Sequence, residues 1–81
     1  MKITVEMIES RIVNVEYLRV GKKTTLCILT LQNGFEIIGK SACVDPIEFD
    51  FEIGKQLAYR NAFDQIWQLE GYTLANSLHV D

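Results

Sequence analysis

The sequence predicts an α+β fold: a three-stranded antiparallel β-meander packed against one long C-terminal helix, with a short N-terminal helix as an optional element. Three observations support it. Apolar and polar residues alternate with a period of two in the first half of the chain, as in half-buried strands. Asn33-Gly34 separates two such segments, as in a tight hairpin. Beyond Pro46, the only proline, the spacing of apolar residues becomes helical.

The length of the chain sets the number of domains. Its 81 residues are enough for one domain with one hydrophobic core. We therefore expect a single domain over residues 1–81. Its predicted elements are a short helix at 4–9, strands at 11–20, 24–32 and 35–41, a helical turn at 46–49, a helix at 51–70 and a tail at 73–81.

Capping and alternation predict the first elements. Thr4 is a suitable N-cap for one helical turn. Val13, Val15 and Tyr17 recur at every second position, which favours a strand. The segment 24–32 is rich in β-branched and aliphatic residues, so we expect a second strand there.

Asn33 and Gly34 predict a type I′ turn, because both tolerate the positive φ that this turn requires. The predicted hairpin pairs Gln32 with Phe35, Thr30 with Ile37 and Leu29 with Ile38. One face of the sheet would then carry Leu26, Ile28, Phe35 and Ile37, and the other face Cys27, Leu29, Leu31 and Ile38. Apolar residues on both faces imply that both faces are covered.

Capping residues also mark the helical half. In Asp45-Pro46, Asp is a good N-cap and Pro suits the first helical position, so a short turn should begin there. Asp50 offers a second cap, and we expect the long helix to start at Phe51. Gly71 is placed to end that helix in a left-handed conformation.

The predicted long helix has apolar residues on two sides. One side is a four-spaced stripe of small residues that permits close backbone approach, formed by Gly54, Ala58 and Ala62. The other side carries Ile53, Leu57, Phe63 and Trp67. The sheet can cover only one side, so the other needs the N-terminal segment or a second copy of the chain. We expect a homo-oligomer that forms through one of these two faces.

Charge and composition disfavour several classes of partner. The chain has 8 basic and 11 acidic residues and a net charge of −3, which argues against DNA or RNA binding because phosphates are bound by basic surfaces. No segment approaches the roughly 20 apolar residues of a membrane span. The N-terminus also lacks the apolar stretch of a signal peptide, so we expect a cytoplasmic protein.

The sequence shows no recognisable catalytic apparatus. His79 is the only histidine and falls in the predicted tail, so a nucleophile would have no anchored base. Cys27 and Cys43 are too few and too far apart for a zinc site, and they fit buried apolar positions. We therefore expect neither an enzyme nor a bound metal or other cofactor.

Basic and aromatic residues are the candidates for a phosphate-bearing ligand. Lys22 and Lys23 cluster at the first hairpin, where they could contact phosphate or simply keep the loop soluble. On the helix, Arg60 could contact phosphate, and Tyr59 or Trp67 could stack on a base.

A set of short segments, taken in order and spacing, resembles a family of short accessory proteins of tailed bacteriophages, of coliphage and Shigella phage type. The segments are Asn33-Gly34-Phe35, Ser41-Ala42-Cys43-Val44-Asp45-Pro46, Phe49-Asp50, Glu52-Ile53-Gly54, Ala58-Tyr59, Asn61-Ala62, Ile66-Trp67 and Leu69-Glu70-Gly71-Tyr72. The resemblance spans residues 8–72 and implies a phage protein made in the cytoplasm of an infected bacterium. The polar residues at matching positions, Ser41, Asp45, Tyr59 and Asn61, are added to the ligand-binding candidates.

Two functions of different classes stay open, and both extend the resemblance by analogy. The first is a non-enzymatic accessory protein that binds and inhibits a host defence protein as a homo-oligomer. The second is sequestration of a small nucleotide signal of bacterial antiviral defence. The candidate ligand-binding residues are Lys22, Lys23, Ser41, Asp45, Tyr59, Arg60 and Asn61.

Overall fold

The structure, a computed structural model, describes residues 2–79 and consists of a three-stranded antiparallel sheet with helices packed on one side. Its elements are, in chain order, α1 (Val5–Arg11), β1 (Ile12–Val20), β2 (Thr24–Leu31), β3 (Glu36–Ala42), a 3₁₀ turn (Pro46–Glu48) and α2 (Phe51–Leu78). The strands lie in the order β1-β2-β3. This arrangement confirms the predicted fold class, a β-meander against one long C-terminal helix, together with the short N-terminal helix.

α1 begins after its predicted cap and runs into the sheet. The Thr4 side-chain oxygen accepts a hydrogen bond from the Met7 N–H at 3.2 Å. The helix continues past residue 9 to Arg11, whose guanidinium forms an ion pair with Glu70 of α2. Because Ile8 is fully buried in the core, α1 is held on the same side of the sheet as α2.

The hairpin between β2 and β3 differs from the prediction. Leu31 N–H donates to the Phe35 carbonyl at 2.8 Å, and Gly34 N–H donates to the Leu31 carbonyl at 2.9 Å. Gly34 has φ +87°. Among the described residues only glycines have a positive φ, so Asn33 has a negative one. The predicted type I′ turn is therefore wrong, because it needs positive φ at Asn33 as well. The observed geometry fits a three-residue loop that ends in a left-handed glycine.

This longer loop shifts the register by one residue. Leu29 pairs with Ile37, and Ile28 pairs with Ile38, so the predicted pairing of Leu29 with Ile38 is wrong. A one-residue shift exchanges the two faces of a strand. Ile37 consequently faces the helices with Leu29, whereas Ile38 lies on the opposite face with Ile28. The predicted grouping of residues on the two faces is thus wrong for β3.

Aspartates cap both helical segments after the sheet. The Asp45 carboxylate accepts a hydrogen bond from the Ile47 N–H at 3.0 Å at the start of the 3₁₀ turn. The Asp50 carboxylate accepts from the Glu52 N–H at 3.0 Å and from the Ile53 N–H at 3.4 Å. α2 begins at the next residue, as the capping pattern predicts.

α2 is longer than predicted. It passes through Gly71 and ends at Leu78, so the predicted end at residue 70 and the tail over 73–78 are wrong. Glycine inside a helix costs about 1 kcal/mol relative to alanine. That cost is offset here because Leu74, in the following turn, is half-buried beside Ile3 and Met7 of the N-terminal segment. Residue 79 follows the helix as its C-cap, and residues 80 and 81 of the predicted tail lie outside the described residues.

The small residues of α2 allow the helix to lie very close to the sheet. A Cβ atom built on Gly39 of β3 would lie 2.5 Å from the Ala62 nitrogen and closer still to the Ala58 carbonyl oxygen. A Cβ built on Gly54 would lie 3.2 Å from the Thr25 Cβ. The predicted small stripe therefore packs on the sheet of its own chain, which removes it as a surface for a second copy.

The second predicted face of α2 is divided between core and surface. Phe63 and Trp67 are half-buried against the core, which also receives Ile8 of α1. Ile53 and Leu57 remain exposed. The buried core itself consists of Ile8, Cys27, Leu29, Ile37, Ala58, Ala62 and Ile66. The N-terminal segment thus supplies part of the cover that the two-sided helix pattern requires.

Candidate functional site

The face of the sheet turned away from the helices, here called the outer face, has an apolar centre and a polar rim. Because side chains alternate along strands, it carries the even-numbered residues of β2 and β3 and those of β1 from Asn14 onward, beyond the register shift that turns Ile12 towards the core. Its apolar centre consists of Leu18, Val20, Leu26, Ile28 and Ile38. Its rim includes Asn14, Glu16, Thr24, Thr30, Glu36 and Lys40.

No described helix covers the outer face. Ile38 is 57% exposed and Leu18 is 48% exposed, and both lie on outer strands of the sheet. The buried residues of β2 and β3, such as Leu29 and Ile37, all belong to the opposite face. Contiguous exposed apolar residues rimmed by polar ones are typical of surfaces that bind another protein.

On the helix side, cations and aromatic rings join the start of α2 to β1. The Arg19 guanidinium lies 4.4 Å from the centre of the Phe49 ring, which stacks on Phe51 with ring centres 6.4 Å apart. The Lys55 ammonium lies 4.9 Å from the Phe51 ring centre and 5.6 Å from that of Tyr17. Such contacts contribute about 0.5–1 kcal/mol each at exposed sites. They fix the position of α2 relative to the strand on which it packs least.

A groove between β1 and α2, here called the inner groove, has a volume of about 580 Å³. Its lining consists of Tyr17, Glu52, Lys55, Gln56, Tyr59 and Arg60. A smaller hollow of about 330 Å³ continues it towards α1 and shares Tyr59 and Arg60. Lys55 forms an ion pair with Glu52 at 3.1 Å, whereas Arg60 forms none with the described residues. The inner groove therefore offers two aromatic hydroxyls and a guanidinium that forms no ion pair with a carboxylate of residues 2–79.

Both tyrosines of the inner groove are held in their neutral form. Burial, followed by the nearby Cys27 thiol, the Tyr59 hydroxyl and the Glu52 carboxylate, raises the pKa of Tyr17 above its ordinary value. Burial, then the Glu9 carboxylate and the Cys27 thiol, raises the pKa of Tyr59 in the same direction. At neutral pH both are phenols that can donate hydrogen bonds and present ring faces, and neither is poised to act as a base.

The structure brings only part of the predicted ligand-binding set together. Tyr59 and Arg60 both line the inner groove. Lys22 and Lys23 lie instead in the turn between β1 and β2, where the Lys22 carbonyl accepts a hydrogen bond from the Arg19 guanidinium at 3.1 Å. The Lys23 ammonium donates to the Val44 carbonyl at 3.5 Å. The phosphate-binding set that combined these lysines with Arg60 is thus spread over separate regions, and its role in binding stays a prediction.

Three other candidates make contacts within the chain. The Ser41 hydroxyl donates to the Gly54 carbonyl at 2.8 Å, which joins β3 to the start of α2. The Asn61 side-chain oxygen accepts a hydrogen bond from the Lys40 N–H at 3.0 Å. Asp45 caps the 3₁₀ turn. These bonds explain all three residues structurally, and a ligand contact by any of them stays a prediction.

Within residues 2–79 no group of three or more His, Cys, Asp or Glu side chains could hold a metal ion. Burial raises the pKa of Cys27, which keeps the thiol protonated. The Cys43 thiol donates to the Asp45 carbonyl at 3.0 Å. In the same part of the chain no helix is both long and apolar enough to cross a membrane.

Sequence reasoning missed the main residues of both surfaces. Ile38 of the outer face was hidden because the correct hairpin register is needed to place it beside Ile28. Tyr17 and Lys55 of the inner groove belong to β1 and α2, and only the packing of those two elements brings them together. The spacing of Phe51 and Lys55 along one helix face was the one available signal for the aromatic and cationic contacts.

Comparison with known proteins identifies a family. The model of the Phage protein (N4 Gp49/phage Sf6 gene 66) family matches residues 3–78, which is almost the whole chain. No curated protein and no solved structure matches it. The match agrees with the resemblance to phage accessory proteins seen in the sequence.

Proposed function

The chain belongs to this phage protein family, and we propose that it is a non-enzymatic binding protein that inhibits a host defence protein, acts as a homo-oligomer and uses its outer face for docking. The exposed apolar centre of the outer face is the observation on which this proposal rests. A phage protein is made inside an infected bacterium, so the cytoplasm of that cell is where we place the partner.

The composition of the outer face favours a protein as the partner. A net charge of −3 and two glutamates on the rim oppose binding to a nucleic acid backbone. The apolar centre lies on three adjacent strands, so that a partner can bury it as one patch. Protein interfaces commonly have this anatomy, with charged residues at the rim and depleted from the centre.

Affinity capture with a matched pair of variants tests the proposal. Ile38→Lys places a charge on the outer face at a position that is 57% exposed, so the fold should be kept. Asp64→Lys places the same side chain at an exposed position of α2. We expect the wild type and Asp64→Lys to retain one host protein in stoichiometric amount, and Ile38→Lys to lose it. Equal capture by all three proteins, or no capture at all, would contradict docking through the outer face.

A second candidate function, sequestration of a small nucleotide signal, is supported by the inner groove. Tyr17 and Tyr59 could stack on bases, and Lys55 and Arg60 could contact phosphates. A groove of about 580 Å³ is within the size range of ligand pockets. The lysines at the β1–β2 turn take no part in this version.

Thermal-shift measurements separate the two functions. Cyclic dinucleotides, cyclic trinucleotides and ADP-ribose derivatives should raise the melting temperature of the wild type if the groove binds a nucleotide. Arg60→Ala should lose that shift, and Ile38→Lys should keep it. No shift with any of these compounds would exclude them as ligands and leave the outer face as the functional surface.

A further inference from the structure

The rest of the chain protects one edge of the sheet and leaves the other open. On the β3 edge, Asn61 of α2 accepts a hydrogen bond from the Lys40 N–H at 3.0 Å. One helical turn later, Gln65 donates to the Ile38 carbonyl at 2.7 Å. Unpaired strand edges attract other strands, and natural proteins protect them. Side chains of α2 therefore protect the β3 edge against a further strand.

The β1 edge has no comparable protection. Leu31 and the other odd-numbered residues of β2 bond towards β3, so its even-numbered residues bond towards β1. Their β1 partners, such as Leu18, are then used within the sheet, whereas Tyr17 and Arg19 direct their N–H and C=O groups outwards. No described residue forms a hydrogen bond with those outward backbone groups.

The β1 edge is also suited to pairing. β1 has nine residues, more than either of the other strands, and it contains no proline. Its only register shift lies between Ile12 and Asn14, which leaves the segment from Asn14 to Val20 in regular pairing with β2. Short edges, prolines and bulges are among the barriers to strand addition, and this segment has none of them. Its two charged residues, Glu16 and Arg19, have opposite signs, so they restrict the register of pairing more than the pairing itself.

We propose that β1 pairs antiparallel with β1 of a second copy of this chain, about a two-fold axis at Leu18, so that two sheets become one of six strands. The inference rests on the proposed function for its homo-oligomer and identifies the surface from which that oligomer is built. An antiparallel pair of identical strands is an isologous contact, which closes as a dimer and leaves no further β1 edge open.

The residues of β1 complement one another in this register. Leu18 lies opposite Leu18 of the other copy on the outer face. Tyr17 lies opposite Arg19 of the other copy on the helix side, so no like charges are placed opposite each other there. A register centred on Glu16 would instead place two carboxylates opposite each other, which is unfavourable. The sequence of the strand thus favours a two-fold axis at Leu18 over one at Glu16.

The surface area of the chain agrees with a partner of this size. A folded monomer of 9.3 kDa is expected to expose about 5,000 Å². This chain exposes 5939 Å². The excess of about 900 Å² is close to the roughly 800 Å² that each partner buries in a standard interface. The extents of 54 × 22 × 18 Å show the same departure from a compact shape.

The dimer would preserve and enlarge the outer face. In antiparallel pairing about an axis normal to the sheet, the helices of both copies lie on one side and both outer faces lie on the other. The two apolar centres then meet at Leu18 and form one continuous surface, while Val20 of each copy lies opposite Glu16 of the other. Docking on a host protein and pairing through β1 can therefore occur together, and they can be tested apart.

Cysteine cross-linking tests the edge directly. In the background Cys43→Ser, the variant Leu18→Cys should form a disulfide-linked dimer, because opposed residues of a non-hydrogen-bonded pair have Cα atoms about 4.5 Å apart. The matched control Ile38→Cys lies on the same face at the protected β3 edge and should stay monomeric on denaturing gels. Cross-linking of Ile38→Cys alone, or equal cross-linking of both, would overturn the proposal.

Light scattering after size exclusion gives the second readout. The wild type should have a mass of about 19 kDa, twice the 9.3 kDa of one chain. Leu18→Lys should shift to the monomer mass because two like charges would meet at the axis, and Ile38→Lys should stay dimeric. A monomeric wild type would overturn the proposal that a second copy pairs with the β1 edge, even if a strand of a host protein were found there. If Ile38→Lys stays dimeric, its ability to capture the host protein tests docking through the outer face and does not bear on pairing through β1.

Discussion

Alanine in place of Gly39 should strongly destabilise the protein. The added Cβ would lie 2.5 Å from the Ala62 nitrogen and 2.7 Å from the Ala62 Cβ, and closer still to the Ala58 carbonyl oxygen. Ordinary contact begins at 3.4 Å, so α2 would have to move away from the sheet by at least about 0.9 Å, the difference between 3.4 and 2.5 for the Ala62 nitrogen, and further to clear the Ala58 carbonyl oxygen. Backbone atoms cannot rotate out of the way as a flexible side chain would.

The cost of this movement can be sized from the contacts that it opens. A gap of about 0.5–1 Å removes a quarter to a half of the dispersion energy of each contact. The affected contacts include those of Ala58, Ala62 and Ile66, which α2 supplies to the core. Overpacking typically costs about 1–3 kcal/mol, and we expect about 3 kcal/mol because the obstacle is backbone. A chain of 81 residues has a total stability of about 4–12 kcal/mol, so the variant should lose roughly a quarter to three quarters of its stability.

Urea denaturation followed by the fluorescence of Trp67, the only tryptophan, measures the effect. Gly71→Ala is the matched control, since a Cβ there meets nothing within 4 Å and the residue is helical. The control should gain about 0.5–1 kcal/mol. If Gly39→Ala unfolded within 0.5 kcal/mol of the wild type, the close approach of α2 to β3 would be wrong.

Three further substitutions probe the packing, the cap and the inner groove. Thr25→Val should raise the free energy of unfolding by about 1 kcal/mol, because the fully buried Thr25 hydroxyl has no hydrogen-bond partner among the described residues. Urea titration measures this change, and a lower free energy of unfolding would show that the hydroxyl has a partner. Asp50→Ala should lower it by about 1 kcal/mol, because the N-cap of α2 is removed, whereas Asp50→Asn should be nearly neutral. Stability should fall as the pH rises above 10, because the pKa values of Tyr17 and Tyr59 are raised in the folded state and the unfolded chain releases those protons first. Thermal melting followed by circular dichroism should show a shallower fall in stability for Tyr17→Phe and for Tyr59→Phe.

The local chemistry of the sequence predicted the elements well and the hairpin register poorly. Strand alternation, Thr4 and Asp50 placed the starts of the elements within one or two residues. Asn33-Gly34 is compatible with two loops that differ by one residue, since both need a left-handed glycine. That single residue decides whether Ile37 or Ile38 faces the helices, and with it the composition of the outer face.

Tertiary contacts decided the rest. Gly71 resembles a helix terminator in sequence, but the half-buried Leu74 beyond it makes continuation of α2 favourable. The small stripe of α2 has the same spacing whether it packs on a sheet or on another helix, and only Gly39 across from it identifies the sheet. Neither fact depends on neighbouring residues in the sequence, so neither could be read from local patterns.

Site-specific photo-cross-linking in infected cells tests the docking surface most directly. A benzophenone amino acid at position 38 would sit on the outer face, and the same group at position 57 would sit at a similarly exposed site on α2. We expect position 38 to cross-link to one host protein and position 57 to give none. Capture of that host protein from position 57, or its absence from position 38, would contradict the assignment of the outer face.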